Sequence, residues 1–163
     1  MYISGLKNRV VTIIMKLYYK ICYGKNCRIG KKTHFRKGFI INIRNNGKVD
    51  IGENCFFNNY CSINCLKNIS IGNDCIFGEN VKIYDHNHKF KYNNLIKEQG
   101  FKSDEIIIGS NCWIGTNVTI LKGTKIGDNV VVGAGCVLKQ EIEKNSIVKN
   151  NMELEIEKID GRE

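Results

Sequence analysis

The chain has 163 residues, 42% of them apolar, which suffices for one domain with a real core and is too apolar for a disordered chain. The longest early apolar run, Val10–Met15, falls far short of the roughly 18 residues of a membrane span, and no small-residue cleavage site accompanies it; no signal peptide is expected, and the cytoplasm is the expected compartment. Net charge is +9 and the excess is N-terminal: residues 1–50 carry 12 Lys or Arg against the single acid Asp50, while residues 51–163 carry 13 basic and 15 acidic residues. Such a basic third attracts polyanions and anionic lipid or is simply a solvated face; no nucleic-acid-binding motif accompanies it, so no nucleic-acid partner is expected.

Residues 1–24 read as one amphipathic, basic helix. Leu6, Val10, Ile13, Ile14, Leu17 and Ile21 recur at helical spacing, with Lys7, Arg9, Lys16 and Lys20 between them. Two roles fit this pattern. The helix packs against the following domain and caps it, or it makes a peripheral contact with a membrane surface.

From residue 25 to 148 the chain repeats with a period of six. Large apolar residues stand at Ile29, Phe35, Ile41; Ile51, Phe57, Ile63; Ile71, Phe77, Ile83; Ile108, Ile114, Ile120; and Ile126, Val132, Leu138. The next residue is Gly in 8 of these 15 places and Asn in three more, although only 16 of 163 residues are Gly. Gly and Asn tolerate positive φ, which predicts a sharp corner directly after each large residue. Two residues earlier stand small or β-branched side chains: Thr33, Cys55, Cys61, Cys75, Val81, Cys112, Val118, Thr124, Val130 and Cys136. A spacing of two puts both residues on one side of a short strand. Three strand–corner units close a triangular coil of 18 residues, and stacked coils bury a continuous core. The pattern predicts an all-β solenoid, a parallel β-helix of about five coils. Five of the eight cysteines occupy the small inward slot and are expected to be free, buried thiols.

Between successive inward strand pairs, one residue of each strand faces out. On the second face these residues are His34, Phe56, Ile76, Trp113 and Val131, an apolar stripe that includes the only Trp. Such a stripe predicts a partner surface.

Breaks in the period locate function. The step is ten from Ile41 to Ile51, eight from Ile63 to Ile71, and 25 from Ile83 to Ile108, so a loop over 85–105 interrupts the stack. Two of the three histidines, His86 and His88, lie at its entry beside Asp85. Insertions in a solenoid gather on one face and carry function. Cys61 and Cys65 have no His near them, and His34, His86 and His88 lack the spacing of a three-histidine zinc site; no metal is expected. Residues 149–163 form a C-terminal segment.

The Ile-Gly-x-x-Cys/Val-x repeats resemble those of the hexapeptide-repeat acyltransferases. That resemblance implies a left-handed coil, a homotrimer with sites between subunits, and acetyl-CoA as acyl donor. Asn80–His88 is similar to the catalytic stretch of the maltose, galactoside and capsular-polysaccharide O-acetyltransferase branch, where the general base lies five residues after the hexad's large residue; counted from Ile83 this is His88. By the same resemblance Asn58, Asp85, His86 and Trp113 fall on the acceptor side, with Asp85 orienting or charge-stabilising an imidazole. Asn111–Thr116 and Val132–Val137 match the branch's coenzyme-side segments, which implies coenzyme contacts at Trp113, Thr116 and Ala134. The branch's later Gly-x-Pro-Ala-Lys is replaced by Asn150–Leu154, so Lys139 or Lys149 would meet the coenzyme's phosphate end. An acidic acceptor-site residue of the branch falls at Leu66 or Cys65, which leaves the acceptor open. The expected activity is O-acetylation of a sugar hydroxyl of a cell-surface or capsular glycan or its precursor. N-acetylation of an amino sugar and a non-catalytic scaffold are the alternatives.

Overall fold

The computed structural model describes the backbone of residues 2–151 and the side chains of residues 10–151. Helix α1 (Tyr2–Tyr23) and a short helical turn (Gly24–Asn26) lead into three parallel sheets that form the faces of a prism. The first face begins with Cys27–Ile29 and has six strands. The second, with six, begins at His34–Phe35, and the third, with five, at Ile40–Ile43. Each strand pairs with its counterparts in the coils above and below. Among the described residues the chain therefore makes five full coils and most of a sixth, slightly more than the about five expected.

The sixth, Glu141–Ile142 and Ile147–Val148, escaped the six-residue period because Leu138 to Ile142 is a step of only four. Ile142 nonetheless pairs in register with Ile126, and Val148 with Val132.

Fourteen of the fifteen large hexad residues are buried, and Ile29 is partly so; all ten small inward residues are buried. Phe35, Phe57 and Phe77 stack up the axis, the last two with ring centroids 4.3 Å apart. The cysteine thiols add cross-coil bonds: Cys55, Cys61 and Cys75 donate to the carbonyls of Gly72, Gly78 and Gly109, each at 3.1 Å. The outward residues of the second face stack in register, and the structure adds Ile147 to that stripe.

The corners differ from expectation. The residue with positive φ is the third after the large one, as in Asn54, Asp74, Asn111, Asn129 and Asn145 (φ 55–60°), and none of the glycines directly after a large residue has positive φ. Those glycines are required by close approach instead. A Cβ on Gly115 would stand 2.7 Å from Ala134 N and Val132 O in the next coil. The left-handed Asn side chains form their own ladder, Asn111 to Asn129 and Asn129 to Asn145, each at 2.9 Å.

Helix α1 caps the first coil, but through a different face from the apolar one. Thr12 and Tyr19 are buried against the coil, whereas Val10, Ile13, Ile14, Leu17 and Ile21 face solvent. The side chains of Leu6, Lys7 and Arg9 lie outside the described residues, as does the C-terminal segment from residue 152 onward.

Candidate active site

The interruption between Ile83 and Ile108 is a hairpin arm. His86–His88 pairs antiparallel with Phe101–Ser103, His88 opposite Phe101. Between the two strands Gln99 folds back on the loop, donating to the carbonyls of Tyr92 and Asn94 and accepting from Tyr92 N. No turn signature in the sequence marks this hairpin; its strand is the polar run His-Asn-His, outside every apolar pattern.

Asp85 anchors the arm. Its carboxylate is 0% exposed and accepts from the backbone N–H groups of Leu66, Lys67 and Asn68 at 2.7–3.1 Å. These three donors lie at the corner of the coil below, where the two-residue insertion stands. Cys65 Sγ approaches the same carboxylate at 3.3 Å. Burial first, and then the neighbouring Asp85, push the Cys65 thiol up to about 12. At the arm's return, Asp104 N donates to Asp85 O and its carboxylate meets Lys67 Nζ at 2.9 Å. That hydrogen bond raises the Lys67 pKa and lowers that of Asp104.

Asp85 also accepts from His86 Nδ1 at 2.9 Å. A carboxylate only accepts, so Nδ1 is the donor, and it is in the neutral ring that Nε2 keeps its lone pair. His86 and His88, two apart on one strand, share a side and flank Phe101, with ring centroids at 5.2 and 4.4 Å. Both line a cavity of about 200 Å³ with Asn42, Arg44, Asn64, Leu66, Tyr84 and Phe101.

Asp85, His86 and His88 thus come together at the corner between the third and first faces. Asp85 itself is fully buried and is not among the side chains lining the cavity. Arg44 and Tyr84 line the cavity although sequence reasoning missed them; the in-register column Asn42, Asn64, Tyr84 was the signal that could have found part of this wall. The other expected residues lie elsewhere on the same chain. Asn58, Thr116 and Ala134 follow strands of the second face, at the corner between the second and third faces. Asn58 Oδ1 accepts from Arg36 at 3.2 Å and from its neighbour Asn59 N. Trp113 stands on the second face, 56% exposed. Lys139, exposed, follows the third face two coils beyond the arm. Among the described residues no group of three or more His, Cys, Asp or Glu side chains is placed to hold a metal.

This fold and this arm define a class of protein. The family model described as "Bacterial transferase hexapeptide (six repeats)" matches residues 105–140. The Escherichia coli (strain K12) protein named as a lipopolysaccharide biosynthesis O-acetyl transferase, WbbJ, is 30% identical over 83% of this chain and 79% of its own length. A maltose O-acetyltransferase from Clostridium difficile 630 superposes with a TM-score of 0.66 at 31% identity, over 79% of this chain and 68% of that one. A galactoside acetyltransferase crystallised with coenzyme A superposes with a TM-score of 0.58 at 28% identity, over 73% of this chain; the present chain spans 60% of that one. The chain belongs to the hexapeptide-repeat acetyltransferases, and its coil is the left-handed β-helix of that family.

Proposed function

We propose that this acetyltransferase moves an acetyl group from acetyl-CoA to a hydroxyl of a sugar acceptor, with His88 as general base. The observation that carries the reading is the pair of imidazoles held on a hairpin strand at the wall of the cavity. The coenzyme A bound to the galactoside acetyltransferase and the names of the relatives support the donor and the acceptor class.

A sugar hydroxyl is far too weak an acid to ionise near neutrality, so its oxygen needs a base as it attacks the thioester carbonyl. Neutral His88 takes the hydroxyl proton while the new C–O bond forms. The C–S bond then breaks, and the imidazolium returns the proton to the departing thiolate. The backbone N–H of Thr116 stabilises the oxyanion between the two steps. The corner that carries Thr116 and Ala134 receives the slender pantetheine chain; Trp113 stands on the adjoining face, and Lys139 is a cation for a phosphate. Within one chain Thr116 and Ala134 stand at a different corner of the prism from His88. That separation favours a homotrimer in which one copy supplies the base and its neighbour the coenzyme wall, with the apolar second-face stripe buried between copies. A cytoplasmic location, where the donor is available, completes the proposal. The Asp85–His86 bond supports a second reading of the same chemistry, in which His86 is the base.

Free-thiol release from acetyl-CoA, measured against a panel of sugar acceptors, tests the activity. His88→Ala is expected to lower kcat by at least about 10²-fold with coenzyme binding nearly intact. If His86→Ala abolishes turnover and His88→Ala does not, the base is His86. Co-refolding His88→Ala with Trp113→Ala chains should recover activity that neither variant has alone; no recovery would overturn the shared site.

A further inference from the structure

We propose that the outward face of α1 seats this protein on the surface of an anionic phospholipid bilayer. The helix lies across the open end of the first coil. Thr12 Oγ1 accepts from Phe35 N at 3.2 Å, Lys16 Nζ donates to Gly30 O at 2.8 Å, Tyr19 Oη accepts from Ile41 N at 3.1 Å, and Tyr23 Oη donates to Ile41 O at 3.2 Å. Positions 12, 16, 19 and 23 are one side of a helix. Those contacts reach the first corner, the second face and the third face, so the opposite side of α1 looks away from the solenoid along its axis.

That opposite side is apolar. Val10, Ile13, Ile14, Leu17, Tyr18 and Ile21, spaced i, i+3, i+4, i+7, i+8 and i+11, are 49–74% exposed. An apolar stripe of this length with nothing packed on it among the described residues is a docking surface. Its occupant follows from charge. Lys20, Lys25, Lys31, Lys32, Arg36 and Lys37, on the helix and first coil, are exposed, and no acid precedes Asp50. Two copies docked end to end through this stripe would bring the two basic ends together, whereas anionic headgroups neutralise them while the acyl boundary takes up the apolar side chains. The inference is independent of the acetyl-transfer reading.

The full chain is sedimented with vesicles of phosphatidylcholine and with vesicles that also contain phosphatidylglycerol, at low and high salt. The Ile14→Glu/Leu17→Glu double variant, changed only at exposed positions, runs beside it, with circular dichroism and light scattering to confirm its fold and mass. The chain is expected to pellet with the phosphatidylglycerol vesicles at low salt, and the double variant or high salt to weaken this by on the order of tenfold. A chain that stays in the supernatant, a variant that pellets equally, or equal binding to both vesicles would overturn the proposal. A lower molar mass for the variant would also overturn it, because a second copy would then be the occupant.

Discussion

Asp85 does more for the arm than any other single side chain. It satisfies three backbone donors of the coil below and one imidazole, all without contact with solvent. Replacing it with Asn keeps one acceptor oxygen but turns an NH₂ toward groups that are themselves donors. A buried donor left unpaired costs about 1–3 kcal/mol. Asp85→Asn is therefore expected to lower the unfolding free energy from urea denaturation by an amount in that range and to cut turnover, with amide exchange rising first in Asn87 and Lys102 of the hairpin. Unchanged exchange in the arm would show that something else holds it. Much of this was hidden in the sequence: Asp85 stands next to His86 and within reach of an imidazole role on sight, but its three backbone partners sit 17–19 residues earlier, at a corner whose two-residue insertion is visible only as a broken period.

At the scale of the coil, the hexad residues predicted both the inward core and the stacking of outward residues, because apolar burial and a period of two leave little freedom. The corners were read less well. Gly directly after a large residue serves crowding between coils, and the turn itself falls on Asn two residues later; both residues tolerate positive φ, so composition alone could not separate their roles. The two roles make a ranked prediction. Gly115→Ala sets a Cβ 2.7 Å from the next coil's backbone and should cost about 1–3 kcal/mol, while Gly133→Ala, whose nearest neighbour is Val148 O at 3.3 Å, should cost clearly less by urea denaturation. Equal costs would mean that the coils can separate freely at these corners. The helix caps the first coil as one of its two expected roles, through a face the sequence does not mark. Its apolar periodicity was legible, but a stripe reads as a packing face by default, and α1 packs through hydroxyls and an ammonium instead.

At the scale of the whole molecule, burial holds Cys27, Cys65 and Tyr19 in their neutral forms. Burial pushes Cys27 up to about 11, and Cys65 and Tyr19 up to about 12. In the unfolded chain thiols ionise near about 8.5 and tyrosine near about 10. The folded state therefore holds these protons longer, so their contribution to stability is whole below about pH 8.5 and is lost as pH rises through 11 to 12. Thermal melting is expected to be flat from pH 7 to about 8.5 and then to fall with rising pH. A Tm that holds steady to pH 11 would contradict it. Seven of the eight cysteines are buried and Cys22 is exposed, so in the native protein a thiol reagent should label Cys22 first.

The seat of α1 has one more consequence. Phe35 N, Ile41 N and the carbonyls of Gly30, Phe35, Phe39 and Ile41 are groups that a preceding coil would otherwise pair, and Thr12, Lys16, Tyr19 and Tyr23 satisfy them with side chains. Stripped of the helix, that rim becomes an unpaired parallel edge, a template for any strand that meets it. Because the edge and the far end of the solenoid are different surfaces, contact between them does not close into a ring but extends head to tail. Deleting residues 1–22 should thus turn a monodisperse particle into filaments that lengthen with concentration, visible by light scattering and electron microscopy. A truncated chain that stayed monodisperse at high concentration would show that the first coil is self-sufficient and that α1 is there only for what it presents outward.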